Sequence, residues 1–176
     1  KKRTAFIGAI LSLISLGNPL IIKTGVVLSM TGLMLSVPEK INAETFEHYF
    51  DLGYDKNKEG DYYGAISDYT KAIKIDPQSG SAYYNRGWSK AKLKDYYGAI
   101  SDYNMALEID PKKKNAYTNR AISKRKLKDY YGAISDYNKA LEIDPNDGDV
   151  YFNRGNAKTI IEDYYGAITD YTKAID

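Results

Sequence analysis

A repeat of 34 residues is the feature that most limits the folds open to this chain. The segment DYYGAI, followed by Ser or Thr and then Asp-Tyr, occurs four times, and its copies begin at Asp61, Asp95, Asp129 and Asp163. A fixed period of this size is typical of arrays in which one supersecondary unit stacks on the next. We therefore expect the repeats to share one continuous core, because a single unit cannot bury its own apolar face.

The spacing inside each unit predicts a pair of helices. Small and apolar residues recur at steps of three and four, which is one stripe of a helix, at Tyr62, Ala65, Ile66, Tyr69, Ala72 and Ile73. Asp61 precedes this stripe as an N-cap candidate, and Pro77 follows it as a stop. An earlier helix is predicted in SAYYNRGWSKAKL and recurs as NAYTNRAISKRKL and DVYFNRGNAKTII. The fold class indicated is all-α.

This pattern resembles the tetratricopeptide-repeat (TPR) family. The residues that carry the resemblance are an early small residue, two later small residues with a tyrosine between them, and a closing proline; in the second repeat these are Gly87, Ala99, Tyr103, Ala106 and Pro111. The resemblance implies a right-handed α-solenoid of four TPR helix pairs, at 46–79, 80–113, 114–147 and 148–176, the last incomplete and uncapped. It also implies a concave groove that binds a peptide or helix of another protein.

Tyrosine is unusually common, with 18 Tyr against 4 Phe and 1 Trp. Sixteen of the tyrosines occupy four positions that recur with the repeat, exemplified by Tyr62, Tyr63, Tyr69 and Tyr83, and only Tyr54 and Tyr84 lie outside them. The periodicity indicates that most are packing residues rather than a ligand site.

The chain departs from the family pattern at the turn inside each pair. Glycine, which relaxes a left-handed turn, is kept only at Gly60, and Lys94, Lys128 and Glu162 replace it. The chain also begins at Lys1 without Met and stops at Asp176 without a polar capping helix. These two features favour a truncated sequence, and dimerisation through the last repeat is the alternative.

Residues 1–43 differ from the rest of the chain. Basic residues at Lys1, Lys2 and Arg3 precede two apolar stretches, 5–22 and 24–37, and a short polar segment ends at Ala43. This order is that of a signal peptide. A cleaved signal ending at Ala43, an uncleaved membrane anchor, and a buried helix of a soluble protein are the three interpretations. The first two place the repeats outside the cytoplasm, in the periplasm, a lumen or the medium, because basic residues stay on the cytoplasmic side.

The resemblance assigns a set of side chains to the concave face as candidate partner-binding residues. They are the asparagines and the larger apolar residues of the first helices, Tyr54, Tyr84, Asn85, Trp88, Asn119, Ile122, Phe152, Asn153 and Asn156. Asparagine can hydrogen-bond a ligand backbone without requiring one side chain. Trp88 is the first candidate for an anchor, because interfaces concentrate binding energy in buried Trp and Tyr. Lys92, Arg125 and Lys126 near this face would favour an acidic ligand.

Two further expectations concern charged residues. The order of Asp68, Asp102 and Asp136 before Arg86, Arg120 and Arg154 suggests ion pairs between successive repeats, Asp68 with Arg86 and onward. Lys112–Lys114 and the acidic segment 144–149 are interpreted as solvated turns, the second because it lacks the spacing and final Glu of an EF-hand.

Composition excludes several functions. Beyond Ala43 the chain holds 20 basic and 22 acidic residues, which disfavours nucleic-acid binding. One His and no Cys leave little for a metal site or a nucleophile, so no enzyme activity, metal or cofactor is expected. Phe50 and Tyr54 stand where chaperone-binding relatives have Lys and Asn, so capture of a C-terminal carboxylate is unsupported. The function indicated is a protein-interaction scaffold; the alternatives are membrane-tethered self-association and the recognition arm of a longer protein.

Overall fold

A computed structural model describes residues 45–175 and two short strands before them. The chain divides into two compact units, Lys1–Ala43 and Glu44–Asp176. In the first unit, β1 (Val26–Leu28) pairs antiparallel with β2 (Met34–Ser36), with Val27 opposite Leu35. The rest of the predicted signal or anchor lies outside the described residues. Among the helices of the described part, none combines the length and apolarity that a membrane span needs.

The second unit consists of eight helices in four consecutive pairs. The first helices of the pairs are α1 (Phe46–Glu59), α3 (Gly80–Lys92), α5 (Lys114–Lys126) and α7 (Gly148–Ile160). The second helices are α2 (Tyr62–Ile75), α4 (Tyr96–Ile109), α6 (Tyr130–Ile143) and α8 (Tyr164–Ile175). The predicted helix pairs are confirmed.

The repeated aspartate begins each second helix. The Asp61 carboxylate accepts a hydrogen bond from the Gly64 amide at 2.9 Å, and Asp95, Asp129 and Asp163 form the same cap. Such a cap satisfies one of the amide groups that the first turn of a helix leaves without a partner. The N-cap predicted for Asp61 is therefore confirmed.

The turn inside each pair requires a left-handed residue. Gly60 adopts φ 83°, and Lys94, Lys128 and Glu162 adopt φ 66°, 67° and 64° at the equivalent positions. A side chain with a Cβ is strained in this region, whereas glycine is not. Three of the four turns therefore carry the backbone strain that the sequence predicted.

We expect Lys94→Gly to raise the free energy of unfolding by about 0.5–1 kcal/mol, because glycine relieves the strain and loses only part of that gain to its greater freedom in the unfolded chain. Ser101→Gly, in the exposed middle of α4, should lower it by about 0.5 kcal/mol. Urea titrations of both variants measure the two effects. Equal effects on stability would contradict the left-handed assignment at Lys94.

The core of the array is built from the small residues and one tyrosine of each pair. Tyr69, Tyr103 and Tyr137 are fully buried, and each packs beneath the small residue of the first helix in its own pair. A Cβ added to Gly87 would lie 3.0 Å from the Tyr103 ring and 3.2 Å from the Ala99 carbonyl oxygen. A larger side chain there would meet both a ring and backbone, so the small residue sets how closely the two helices approach.

One of the four recurring tyrosine positions does not pack in the core. Tyr63, Tyr97, Tyr131 and Tyr165 are 76%, 76%, 74% and 90% exposed, so the expectation of a packing role is wrong for this position. They are the second residues of the second helices, where the side chain points away from the neighbouring helix.

The order of contacts gives the array its curvature. Each helix packs on the next along the chain, and each first helix also contacts the first helix of the next pair, α1 with α3, α3 with α5 and α5 with α7. No second helix among α2, α4, α6 and α8 reaches the next second helix. The first helices therefore line the inner, concave side of the array, which we call the inner face.

Candidate functional site

A first cavity opens on the inner face between α1, α3 and the start of α5. It measures about 480 Å³ and is lined by Phe50, Tyr54, Ser81, Tyr84, Asn85, Lys113, Lys114 and Asn115. The Asn85 carboxamide forms no hydrogen bond with another side chain or backbone group of residues 45–175 and is half-buried, so it can bond a ligand. Tyr54, Tyr84 and Asn85 were predicted binding residues, and the structure brings all three together.

A second cavity lies between the second and third pairs. It measures about 240 Å³ and is lined by Trp88, Ala91, Lys92, Tyr96, Tyr103, Asn119, Ile122, Ser123 and Lys126. The Trp88 ring packs edge-on against Tyr62 with centroids 5.8 Å apart, and the Lys92 ammonium lies 4.7 Å from the centre of the Trp88 ring. Three predicted binding residues, Trp88, Asn119 and Ile122, therefore share this cavity.

A hydrogen bond separates the two cavities. The Asn119 amide nitrogen donates to the Tyr84 hydroxyl at 2.9 Å, and these residues line the second and first cavity respectively. Burial raises the pKa of Tyr84, and the hydrogen bond from Asn119 only partly opposes it, so the hydroxyl stays neutral at physiological pH. The cavities thus adjoin along the first helices, and a peptide laid along the inner face would contact both.

The ammonium groups beside the cavities differ in their partners. Those of Lys92, Lys113 and Lys126 form no ion pair within residues 45–175. Because no acidic residue lines either cavity, they give this part of the inner face a positive charge. Lys114 instead binds Asp144 at 2.9 Å and Asp147 at 2.6 Å, and these bonds raise its pKa. The two turns interpreted as solvated are therefore joined at this lysine. Lys113 and Lys114 line the first cavity, although neither was among the predicted binding residues.

The predicted residues of the fourth pair lie elsewhere and form internal contacts. The Asn153 amide donates to the Asp149 carbonyl at 2.8 Å, and Asn156 accepts from the Tyr171 hydroxyl at 2.9 Å. Phe152 packs its ring 5.8 Å from that of Tyr171 and stays half exposed. These three side chains line neither of the two cavities. Arg125, expected near the binding face, lies beside Tyr137 and lines neither of the two cavities.

The arginines of the first helices pair differently from the prediction. Arg86 binds Asp102 through two hydrogen bonds of 2.9 and 2.7 Å, and Arg120 and Arg154 bind Asp136 and Asp170 in the same way. Each pair lies within one repeat, so the predicted pairing between repeats is wrong. Asp68, whose repeat has Leu52 in place of the arginine, binds Lys56 and Lys71.

The same arginines still join neighbouring repeats. Arg120 donates a third hydrogen bond of 2.7 Å to Asn104 in the preceding pair, and Arg154 does the same with Asn138. A second cation, Lys124 or Lys158, completes the environment of the buried aspartate. Because these carboxylates are buried, their charge requires such partners. This network gives the buried aspartates Asp102, Asp136 and Asp170 a structural role. Within residues 45–175, no group of His, Asp and Glu could hold a metal ion.

The buried aspartates predict acid sensitivity. Burial disfavours the charged form of Asp170, but hydrogen bonds from Arg154 and Lys158 outweigh it and lower its pKa; Lys56 and Lys71 lower that of Asp68 likewise. A pKa that is lower in the folded state contributes stability that is present above the ordinary value of about 4 and is lost as the pH falls through the folded value.

We therefore expect Asp170→Asn to destabilise the chain at pH 7 and the difference from wild type to shrink below about pH 4. Urea titrations at pH 7, 5 and 3 measure it. Glu142→Gln is the matched control, since Glu142 forms an exposed pair with Lys139 and should change little at any pH. If the free energy of unfolding of Asp170→Asn differs from that of wild type by the same amount at pH 7, 5 and 3, the charge of Asp170 does not contribute to stability.

The helices and their contacts define an α-solenoid of stacked helix pairs with its cavities on the inner face. Three family profiles match the chain. One profile of the tetratricopeptide repeat matches residues 80–113 and 115–147, and a second matches residues 136–169. A third, described as a TPR repeat, matches residues 53–94. The chain belongs to the tetratricopeptide-repeat family. No curated protein sequence matches it.

Three solved structures illustrate the similarity. MamA 41-end from Desulfovibrio magneticus RS-1 is 22% identical with a TM-score of 0.72, over 76% of this chain and 75% of that one. The first TPR of Spaghetti (RPAP3), solved with an HSP90 peptide SRMEEVD, is 26% identical with a TM-score of 0.66, and the match covers 69% of this chain and 96% of that one. The Arabidopsis OM64 TPR domain is 26% identical with a TM-score of 0.65, and the match covers 66% of this chain and 97% of that one.

Proposed function

We propose that this chain is a non-catalytic scaffold that binds an extended segment or a helix of a partner protein along its inner face. The observation that carries the proposal is the pair of adjoining cavities, which face the same side and hold most of the candidate binding residues. A related array, the first TPR of Spaghetti (RPAP3), is bound to a peptide, which supports the same kind of ligand.

The chemistry of the two cavities suits a peptide. Aromatic side chains from Tyr54, Tyr84 and Trp88 offer apolar contact area, and the Asn85 amide can bond a ligand backbone. Lys92, Lys113 and Lys126, which form no ion pair with any residue between 45 and 175, favour a partner segment with net negative charge. Steering by such a charge raises the association rate and weakens with salt.

A random dodecapeptide display library tests the proposal. We expect the full chain to select peptides with net negative charge, and Asn85→Ala to weaken their binding. Tyr131→Ala is the matched control, since Tyr131 is exposed on the opposite set of helices and should bind as wild type does. Loss of binding in Tyr131→Ala with full binding in Asn85→Ala would place the ligand on the other side of the array. Failure to select any peptide would refute peptide binding itself.

A location outside the cytoplasm belongs to the proposal as well. It rests on the basic, apolar and short polar order of residues 1–43, which is that of an export signal or an anchor. Protease added to intact cells or spheroplasts, followed by N-terminal sequencing of the protected or released chain, tests it. Cleavage after Ala43 indicates a signal peptide, and an intact N-terminus on accessible chain indicates an anchor. A chain that only lysis exposes to the protease would refute export.

Self-association through the last pair is a second candidate. Ile168 on α8 is 63% exposed, whereas the equivalent Ile134 packs against the third and fourth pairs. A second copy docked on α8 would cover this side chain. Analytical ultracentrifugation across a range of concentrations should then show dimers that Ile168→Glu abolishes. Monomers at every concentration would refute it.

A further inference from the structure

Each helix pair places one tyrosine against its first helix: Tyr69, Tyr103 and Tyr137 are fully buried, and Tyr171 is partly buried. The hydroxyls of Tyr69 and Tyr171 have an internal hydrogen-bond partner. In the first pair the Asn57 amide donates to the Tyr69 hydroxyl at 3.4 Å. In the fourth pair the Tyr171 hydroxyl lies 2.9 Å from the Asn156 amide oxygen and 3.1 Å from the Thr159 hydroxyl. These partners precede their tyrosine by 12 or 15 residues, which places them on one face of the first helix.

The second pair has no such partner. The residues 12 and 15 before Tyr103 are Ala91 and Trp88, and the Tyr103 hydroxyl is buried without a hydrogen bond in the described part of the chain. In the third pair the Tyr137 hydroxyl also lacks a hydrogen bond in the described part of the chain, but Arg125 takes the equivalent place and its guanidinium opposes the rise in the pKa of Tyr137 that burial causes. An unpaired buried hydroxyl is unfavourable, because it has given up water without gaining another partner.

The second cavity is the open space that Tyr103 borders. Tyr103, Ala91 and Trp88 all line it, so a small residue and an open volume of about 240 Å³ stand where the first and fourth pairs place a polar side chain. Trp88 and Ile122 supply apolar wall, and the ammonium groups of Lys92 and Lys126, which form no ion pair within residues 45–175, lie at its edge. The cavity therefore combines an apolar wall and positive charge with a buried hydroxyl donor that has no hydrogen-bond partner in the described part of the chain.

We propose that the second cavity binds an aspartate or glutamate side chain of the partner segment, with its carboxylate accepting a hydrogen bond from the Tyr103 hydroxyl and facing Lys92 and Lys126. The inference rests on the proposed function, and it names the residue class that the inner face selects. Hydrogen bonds from neutral donors to a carboxylate are stronger than bonds between neutral groups, so the acid fits this donor better than its amide does.

Peptides selected from the dodecapeptide library supply the probes. Each Asp or Glu in a selected peptide is changed in turn to Asn or Gln, and affinity for the full chain is measured by fluorescence anisotropy. We expect one position at which the acid binds at least about tenfold more tightly than the amide. Tyr103→Phe should remove that preference while it leaves binding of the amide peptide unchanged.

Two more variants separate recognition from folding. Ala91→Asn supplies the Tyr103 hydroxyl with the partner that Asn57 gives Tyr69, and it should likewise remove the preference while the chain stays folded. Tyr137→Phe, the matched control, should keep the preference. An unchanged preference in both Tyr103→Phe and Ala91→Asn, or selected peptides with no acid-dependent position, would overturn the inference and leave peptide binding standing. If no peptide is selected, the proposed function fails and this inference fails with it.

Discussion

Arg120→Met should lower the free energy of unfolding by about 3 kcal/mol, the largest single effect we expect. Arg120 is mostly buried and holds Asp136, which is 5% exposed, through two hydrogen bonds of 2.8 and 2.6 Å. Methionine keeps most of the volume but removes the charge, so the buried carboxylate is left, among the described residues, with Lys124 as its one cationic partner. The loss of the bond to Asn104 also weakens the contact between the second and third pairs.

A double variant separates the cost of an unpaired charge from the loss of the pair. Arg120→Met with Asp136→Leu should recover most of the stability, because replacing both members of a buried ion pair by apolar residues is often close to neutral. Arg120→Lys keeps the positive charge but loses the planar guanidinium that makes two hydrogen bonds. Its free energy of unfolding should lie between those of Arg120→Met and the double variant. Urea titrations of the three variants give the values. A double variant no more stable than Arg120→Met would contradict this account.

Trp88→Ala should weaken peptide binding by about 2 kcal/mol, which is about 30-fold in Kd, because the indole forms the wall of the second cavity and large aromatic anchors dominate such interfaces. The same change removes the edge-on contact with Tyr62, so some stability will be lost as well.

Tyr62→Ala is the matched control for that prediction. It removes the other half of the same contact, and Tyr62 does not line the second cavity. Both variants should therefore lose similar stability, while only Trp88→Ala loses affinity, as measured by anisotropy with a selected peptide and by thermal melts. Equal losses of affinity in the two variants would mean that Trp88 acts through packing between repeats and not through ligand contact.

The helix pairs could be predicted from the sequence because the repeat supplied four copies of the same evidence. The spacing of Ala65, Tyr69 and Ala72 indicated a buried stripe, and Asp61 and Pro77 marked its ends. The left-handed turn residue Lys94 could be found in the same way, since glycine stood at the equivalent position 60. Local rules of capping and turn geometry govern these features, so they are readable from short stretches of chain.

The ion pairs could not be predicted from order along the chain. Arg86 follows Asp68 by 18 residues and precedes Asp102 by 16, so both carboxylates are plausible partners in sequence. The packing of α3 on α4 decides the choice, because it places Asp102 under the guanidinium. The prediction failed because it depended on the rotation of two helices about their axes, which the repeat alone does not fix.

The inner-face residues were predicted unevenly for a related reason. Trp88 and Ile122 line a cavity, but Asn153 and Asn156, at positions equivalent to Asn85 and Trp88, bond to their own repeat. The position of a residue in the TPR pattern predicts the helix face on which its side chain lies. It does not predict whether that side chain will bond to a neighbouring residue or stay available to a ligand. The sequence does show that Ala91 replaces the polar residues Asn57 and Thr159 of other repeats. The structure was needed to show that this replacement leaves an open cavity beside Tyr103.

Chemical-shift mapping of the full chain with a selected peptide tests the central claim most directly. Trp88 is the only tryptophan, so its indole N–H gives a single side-chain resonance from the inner face. We expect this resonance and the side-chain amides of Asn85 and Asn119 to shift on titration, while the backbone amides of Tyr63, Tyr97 and Tyr131 do not. Shifts confined to the second helices, with the indole resonance unmoved at saturation, would contradict binding on the inner face.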